Sequence, residues 1–198
     1  VLFDFFFFFF YDRKREFVLT SSPSMDILVS SNLERLIYTC AGEDSDVNAE
    51  LMKQLKEEGK YEITADMKAK LADFAGGYAT EAETAATIRK VYEKTGYVID
   101  THTAVAASVY GKYGSDSKDE TPTVVASTAS PFKFSAAVLE AVDGKNDLDE
   151  FEMVEKLAAV TKKSCPEQLA NLRDKAVRFD GCCSKDSMEQ VVFDMLGV

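Results

Sequence analysis

Three short stretches carry more hydroxyls, carboxylates and amides than packing requires. Ser21 to Arg35 places five serines, Asp26, Asn32 and a guanidinium near a helix start, where free N–H groups can bind an anion. Asp100-Thr101-His102-Thr103-Ala104-Val105 follows the apolar run Tyr97-Val98-Ile99. In open α/β sheets the C-terminal edge of a strand is where ligands bind. Ser127-Thr128-Ala129-Ser130-Pro131-Phe132-Lys133-Phe134 follows a second such run, and Ser127 and Thr128 would direct hydroxyls into the same crevice. Each stretch also has a plainer reading. Ser31 or Asn32 caps a helix while Arg35 stays solvated, His102 is a hydrogen-bonded structural histidine, and Ser127 and Thr128 serve as N-caps.

The elements that must position these groups are mostly helical. Leu33, Leu36, Ile37 and Cys40 fall at i, i+3, i+4 and i+7, one helix face. Val47, Leu51, Met52 and Leu55 make a second stripe ending at Gly59, and Met67, Leu71 and Phe74 a third, closed by Gly76-Gly77. Thr80 and Glu83 have the spacing of a capping box. The helix they open carries Ala85, Ile88, Val91 and Tyr92 inward and stops at Gly96. The pattern then predicts a buried strand over 97–99, a helix over 103–113 stopped by Gly114, and a polar loop over 115–120. A second buried strand is expected over 123–127, β-branched and uncharged. Pro131 suits the start of the next helix, with Phe134, Val138 and Ala141 inward. Three more stripes follow: Phe151/Val154/Leu157, Leu169/Leu172/Ala176/Phe179 and Met188/Val191/Val192/Met195, the last capped by Asp186 and Glu189. Strands leading straight into helices are an α/β signature. Two strands make a poor sheet, so the chain is expected to belong to a larger one.

Composition excludes several classes. The 198 residues carry a net charge of −11, with 46% hydrophobic and 29% charged residues. That balance is globular, and it argues against a disordered chain, a cationic nucleic-acid binder or a ligand of anionic membranes. No apolar run approaches the ~20 residues that span a bilayer. The four cysteines, Cys40, Cys165, Cys182 and Cys183, show no zinc spacing, and His102 is the single histidine. No metal site is expected. Reduced thiols and the lack of a signal peptide after Val1 suggest a cytoplasmic protein. Asp143 to Glu150 resembles an EF-hand loop, but alignment on Gly144 puts Leu139 and Ala141 at ligand positions. Six consecutive phenylalanines, Phe5 to Phe10, read either as a buried plug or interface or, preferably, as an artefact of sequence assignment.

Taken together, the three stretches closely resemble the C-terminal part of the threonine synthase family. Its run Ser-Pro-Ser-Met-Asp-Ile-Leu-x-Ser-Ser-Asn-x-Glu-Arg-Leu matches Ser22 to Leu36. Its Asp-x-His-Thr-Ala-Val matches Asp100 to Val105, and its Ser-Thr-Ala-x-Pro-x-Lys-Phe matches Ser127 to Phe134. The resemblance covers residues 1–145 well and the helical tail more weakly. It implies an α/β, helix-rich chain: the C-terminal part of a fold-type II, tryptophan synthase β-like architecture with few strands of its own. It divides the chain into part of the catalytic region, 1–145, and a helical tail, 146–198.

The function implied is conversion of O-phosphohomoserine and water to threonine and phosphate with pyridoxal 5'-phosphate. Thr128 takes the family position of a hydroxyl facing the pyridine nitrogen. Ser24, Asp26, Asp100, His102 and Ser127 are the expected substrate-site walls. The family's Schiff-base lysine and phosphate cradle belong to an N-terminal half that precedes Val1, and Lys133 is in the wrong motif to replace that lysine. The expected partner is therefore that missing half, and the chain alone is expected to be inactive. The family has a polar, glycine-containing turn where Phe7 to Phe10 stand. The alternative function is a non-catalytic structural or interaction fragment assembling through the phenylalanine-rich end.

Overall fold

The computed structural model describes residues 10–198, so Phe5 to Phe9 of the phenylalanine run lie outside the described residues. The chain forms two compact units, one ending at Pro166 and the other comprising Glu167–Val198. In the first unit the order is β1 (Phe10–Asp12), α1 (Leu33–Cys40), α2 (Ser45–Glu57), β2 (Lys60–Glu62), α3 (Ala65–Lys70), α4 (Glu81–Thr95), α5 (Thr101–Ser117), α6 (Ser135–Asp143) and α7 (Glu150–Thr161). Single 3-10 turns occupy Pro23–Met25 and Pro131–Phe134.

Two apolar groups hold this unit together. Helices α1 to α3 and the antiparallel pair β1–β2 bury Tyr11, Ile37, Leu55, Tyr61 and Met67 among others. Tyr11 lies opposite Tyr61 in the ladder, and the rings stack at 5.6 Å and 7°. Burial raises the Tyr61 phenol well above its usual range, so it stays protonated. Helices α4 to α7 pack as a second group, with α4 against both α5 and α6 and α7 against α6. Ile88, Val138, Leu139 and Leu157 are its large, fully buried apolar side chains.

The helices with strong local signals form as read. Thr80 and Glu83 close a reciprocal capping box on α4, and Gly96 ends it at φ 67°, the left-handed geometry glycine adopts without strain. Asp149 and Glu152 form a second box on α7. The inner face of α4 differs by one residue: Thr84 is buried and Ala85 is exposed. Helix α3 stops at Lys70, short of its expected stripe, and Phe74 is exposed. Helix α5 begins two residues before Thr103 and runs through Gly114 to Ser117, taking part of the expected loop.

Neither expected strand is present as a strand. Val98 and Ile99 are buried, but residues 97–99 pair with nothing among the described residues. Residues 121–128 are exposed, Val124 to 95%, which corrects the expected burial of 123–127. A strand needs a laddered neighbour, and the one sheet among the described residues is β1–β2, whose three-residue strands carry little sequence signal.

The second unit contains α8 (Glu167–Ala170), a 3-10 turn at Lys185–Ser187 and α9 (Met188–Leu196). The stripe from Leu169 to Phe179 does not continue as helix past Ala170, and Leu172 and Phe179 are exposed. A helix that short lacks an apolar face to pack and is marginal alone. Asp186 falls in the turn before α9, and the N-cap of α9, Ser187, makes no side-chain capping bond. All four cysteines are free, and burial raises the thiols of Cys40 and Cys165. Among the described residues no helix is long and apolar enough to cross a membrane.

Two contacts fix α5 against the 76–83 segment. A Cβ at Gly77 would stand 2.7 Å from Val109 Cγ1, so the backbone approaches α5 where only glycine fits. Gly77→Ala is expected to destabilise the fold by about 1–3 kcal/mol. Val109→Ala in the same chain should recover part of that loss, read by chemical denaturation. Farther along, Lys112 Nζ meets Glu83 Oε1 at 2.8 Å and the Tyr78 carbonyl at 2.9 Å. The Lys112 hydrogen bond, then those from Thr80, hold the Glu83 carboxyl at about 2. A carboxyl depressed in the folded state stabilises above its unfolded pKa and loses that contribution as pH falls through the folded one. The melting temperature of wild type should therefore fall more than that of Glu83→Gln between about pH 4.5 and 2. Parallel curves would refute the contact.

Candidate functional site

The first turn of α5 is where the three stretches meet. Asp100 is fully buried and is the N-cap. Its Oδ1 accepts from the backbone N–H groups of His102 at 2.9 Å and Thr103 at 3.3 Å. Its Oδ2 accepts from the Thr103 hydroxyl. A carboxylate at this end also faces the positive pole of the helix. The neighbouring side chains then reach in two directions. His102 Nδ1 is hydrogen-bonded to the Ser22 hydroxyl, and its ring meets the Phe134 ring edge-on at 4.6 Å. The Thr103 and Ser127 hydroxyls are hydrogen-bonded at 2.8 Å.

The Ser22 side of this junction is itself tied down. Ser22 is buried, and its N–H donates to Thr20 Oγ1 at 3.1 Å. Thr20 donates both its hydroxyl and its N–H to the two oxygens of Asp26, each at 2.7 Å. Tyr11 closes the loop from the other end, donating to the Leu28 carbonyl at 3.1 Å and accepting from Ser30 N–H at 2.8 Å. Arg15 donates to the Ile27 carbonyl at 3.0 Å. The loop borders a cleft of about 570 Å³, walled by Arg15, Thr20, Ser24, Asp26, Asn32 and Tyr78.

The expected site residues therefore fall into two places. Ser24 and Asp26 line the cleft, although Asp26 has both oxygens engaged by Thr20. Asp100, His102 and Ser127 gather at the head of α5. Thr128, next to Ser127, is exposed and its hydroxyl has no hydrogen-bond partner among the described residues. Asn32 precedes α1 with helical backbone and no side-chain cap; its Oδ1 accepts from Arg35 at 2.8 Å. That exposed pair takes the guanidinium away from an anion-binding role at this helix start. Capping before α6 is done by Ser130, which accepts from Phe132 N–H, and not by Ser127 or Thr128. Sequence reasoning passed over Tyr11, Thr20 and Thr103 as positioning groups. For Thr103 the signal was present in the Asp-x-His-Thr pattern, because a Thr three residues after an N-cap Asp can return its hydroxyl to it.

A family model described as "Threonine synthase, C-terminal" matches residues 103–192. "Threonine synthase-like 1" of Macaca fascicularis is 39% identical over 145 residues, 72% of this chain and 19% of that protein. Threonine synthase of Saccharomyces cerevisiae is 31% identical over 159 residues, 73% of this chain and 31% of that protein. The crystal structure of yeast threonine synthase superposes with a TM-score of 0.77 at 27% identity, covering 98% of this chain and 40% of that one. This chain is similar to the C-terminal region of threonine synthase. The crystal structure of pyridoxal-phosphate-bound threonine synthase from Brucella melitensis superposes with a TM-score of 0.64 at 31% identity, over 86% of this chain and 32% of that one. The chain thus spans a fifth to two-fifths of the length of these threonine synthase relatives, and its helix-rich fold with two short strands is part of theirs.

A hydroxyl is what this chain could present to a cofactor of that kind. Thr128 offers a hydroxyl with no partner among the described residues, on a segment joined to a buried carboxylate. Lys133 is exposed, on the turn after Pro131. The described residues contain no cluster of three or more His, Cys, Asp or Glu able to hold a metal.

Asp100→Ala is expected to lower stability by about 1–2 kcal/mol, because the capping carboxylate is lost and the donors of His102 and Thr103 are left without their acceptor. Asp100→Asn should lose less, since an amide oxygen still caps. Equal midpoints for wild type and Asp100→Ala in a urea titration would contradict the capping role.

Proposed function

We propose that this chain supplies the C-terminal part of a pyridoxal-phosphate-dependent threonine synthase, which converts O-phosphohomoserine and water to threonine and phosphate. One observation carries the reading. The three stretches that match the family meet at one helix turn, Ser22 through His102 and Ser127 through Thr103.

Pyridoxal 5'-phosphate, when bound, supplies an electron sink for a developing carbanion on the amino-acid substrate. The role of Thr128 is to face the pyridine nitrogen with its hydroxyl. A hydroxyl, unlike a carboxylate, does not hold that nitrogen protonated, so it tunes how strongly the ring withdraws electrons. Ser24 and Asp26 on the cleft, and Asp100, His102 and Ser127 at α5, wall the substrate side. The Schiff-base lysine and the phosphate cradle come from the preceding portion of the enzyme, so the chain alone is inactive.

The test is to combine the purified chain with the preceding portion of a threonine synthase. A cofactor absorption band and phosphate release from O-phosphohomoserine are the expected results. Thr128→Ala should then cut turnover about 10-fold or more and shift the band, by analogy with loss of one preorganised hydrogen-bonding group. Unchanged kinetics would remove Thr128 from the site. A second reading is a related enzyme with a different substrate. It draws on the identities of 38–40% to "Threonine synthase-like 1" proteins, against 31–36% to the proteins named threonine synthase. A cofactor band without phosphate release would select it.

A further inference from the structure

The segment that carries Thr128 is held to the fold at a single polar point. Residues 121–128 have no regular structure and are exposed. Thr121 and Thr123 make only local bonds, to Asp119 and Thr121. Beyond Thr128, Ser130 bonds only to the turn that it caps. Among the described residues, the one hydrogen bond that leaves the segment from Val124 to Ala129 joins Ser127 to Thr103.

Geometry gives that bond a direction: Thr103 Oγ1 is the donor and Ser127 Oγ the acceptor. The same hydroxyl lies against Asp100 Oδ2, which can only accept. Thr103 is 6% exposed and Asp100 is fully buried, so water competes weakly for either. The buried carboxylate thus holds the Thr103 hydroxyl where it meets Ser127, and the next residue in the chain is Thr128.

We propose that Thr103 is a positioning residue: it relays the Asp100 carboxylate to Ser127 and so fixes where the Thr128 hydroxyl stands. The proposal rests on the reading of Thr128 as the group that faces the cofactor, and it assigns to Thr103 a role that packing alone does not give. It requires the hydroxyl and not the threonine shape. Thr103→Val keeps the shape and removes the relay, Thr103→Ser keeps the relay, and Ser127→Ala removes the other end from an exposed position where folding is not at stake.

Two measurements test it. In the chain alone, elastase cleavage between Val124 and Ala129 should be roughly 3- to 10-fold faster in Thr103→Val and Ser127→Ala than in wild type, the factor expected for losing one neutral hydrogen bond. Thr103→Ser should match wild type, and cleavage within α5 should not change. Equal rates in all four chains would overturn the proposal, as would a Thr103→Ser chain as labile as Thr103→Val. In the chain combined with the preceding enzyme portion, Thr103→Val should shift the cofactor band in the same direction as Thr128→Ala, with Thr103→Ser restoring it. A shift in Thr128→Ala with none in Thr103→Val would overturn the relay while leaving the function intact. If wild type forms no cofactor band, the functional reading fails, and the cleavage rates still decide whether Thr103 tethers the segment.

Discussion

A buried carboxylate with no ion pair among the described residues must be satisfied by hydrogen bonds, and Asp100 is the case on which this structure turns. Its partners are two backbone N–H groups and one hydroxyl, all from the first turn of the helix it begins. Those bonds fix the geometry of that first turn. From it His102 reaches Ser22 and Thr103 reaches Ser127. One capping interaction thus orders two segments distant in sequence. The rest of the helix is anchored independently, by Gly77 against Val109 and by Lys112 against Glu83 and Tyr78.

The two places where expected site residues gather are linked through Ser22. On one side lies the loop that Thr20 and Asp26 draw tight, with Tyr11 holding its far end to the β1–β2 ladder. On the other lies the head of α5. Arrangement of polar groups by other polar groups that are already satisfied suits a wall more than a reacting centre. Asp26 illustrates this, since both of its oxygens are committed to Thr20. The hydroxyl of Thr128, which is exposed, and that of Thr101, which is buried at the head of α5, both lack a partner among the described residues.

Legibility in the sequence followed the range of the interaction. The Thr80–Glu83 box and the stop at Gly96 each belong to a single helix and were readable, whereas the equally local Asp149–Glu152 box went unread. Helices α1 and α2 were readable too, since their apolar positions repeat within two turns. Strands were not, because a strand is a pairing and not a pattern. Residues 123–127 have strand composition and no partner among the described residues, whereas Phe10–Asp12 and Lys60–Glu62 pair with little composition to announce it. Leu169 to Phe179 shows the same limit for helices: periodicity proposes a face, and packing decides whether it folds. In the site, chemistry-bearing types were visible one by one. Their junction was not, since Thr103 and Ser127 lie 24 residues apart and Ser22 and His102 lie 80 apart.

That separation of 80 residues sets the order in which the molecule can be assembled. Helices such as α2 and α4 close their own bonds within microseconds. The Ser22–His102 contact must close a long loop first, and loop entropy rises with its length. During synthesis the wait is longer still. At 5–20 residues per second, Ser22 leaves the ribosome on the order of ten seconds before His102 exists. For that interval the Ser21–Ser30 loop has Tyr11 and Thr20 to shape it but no α5 to rest on. A chain interrupted before residue 102 would carry the loop without its lock.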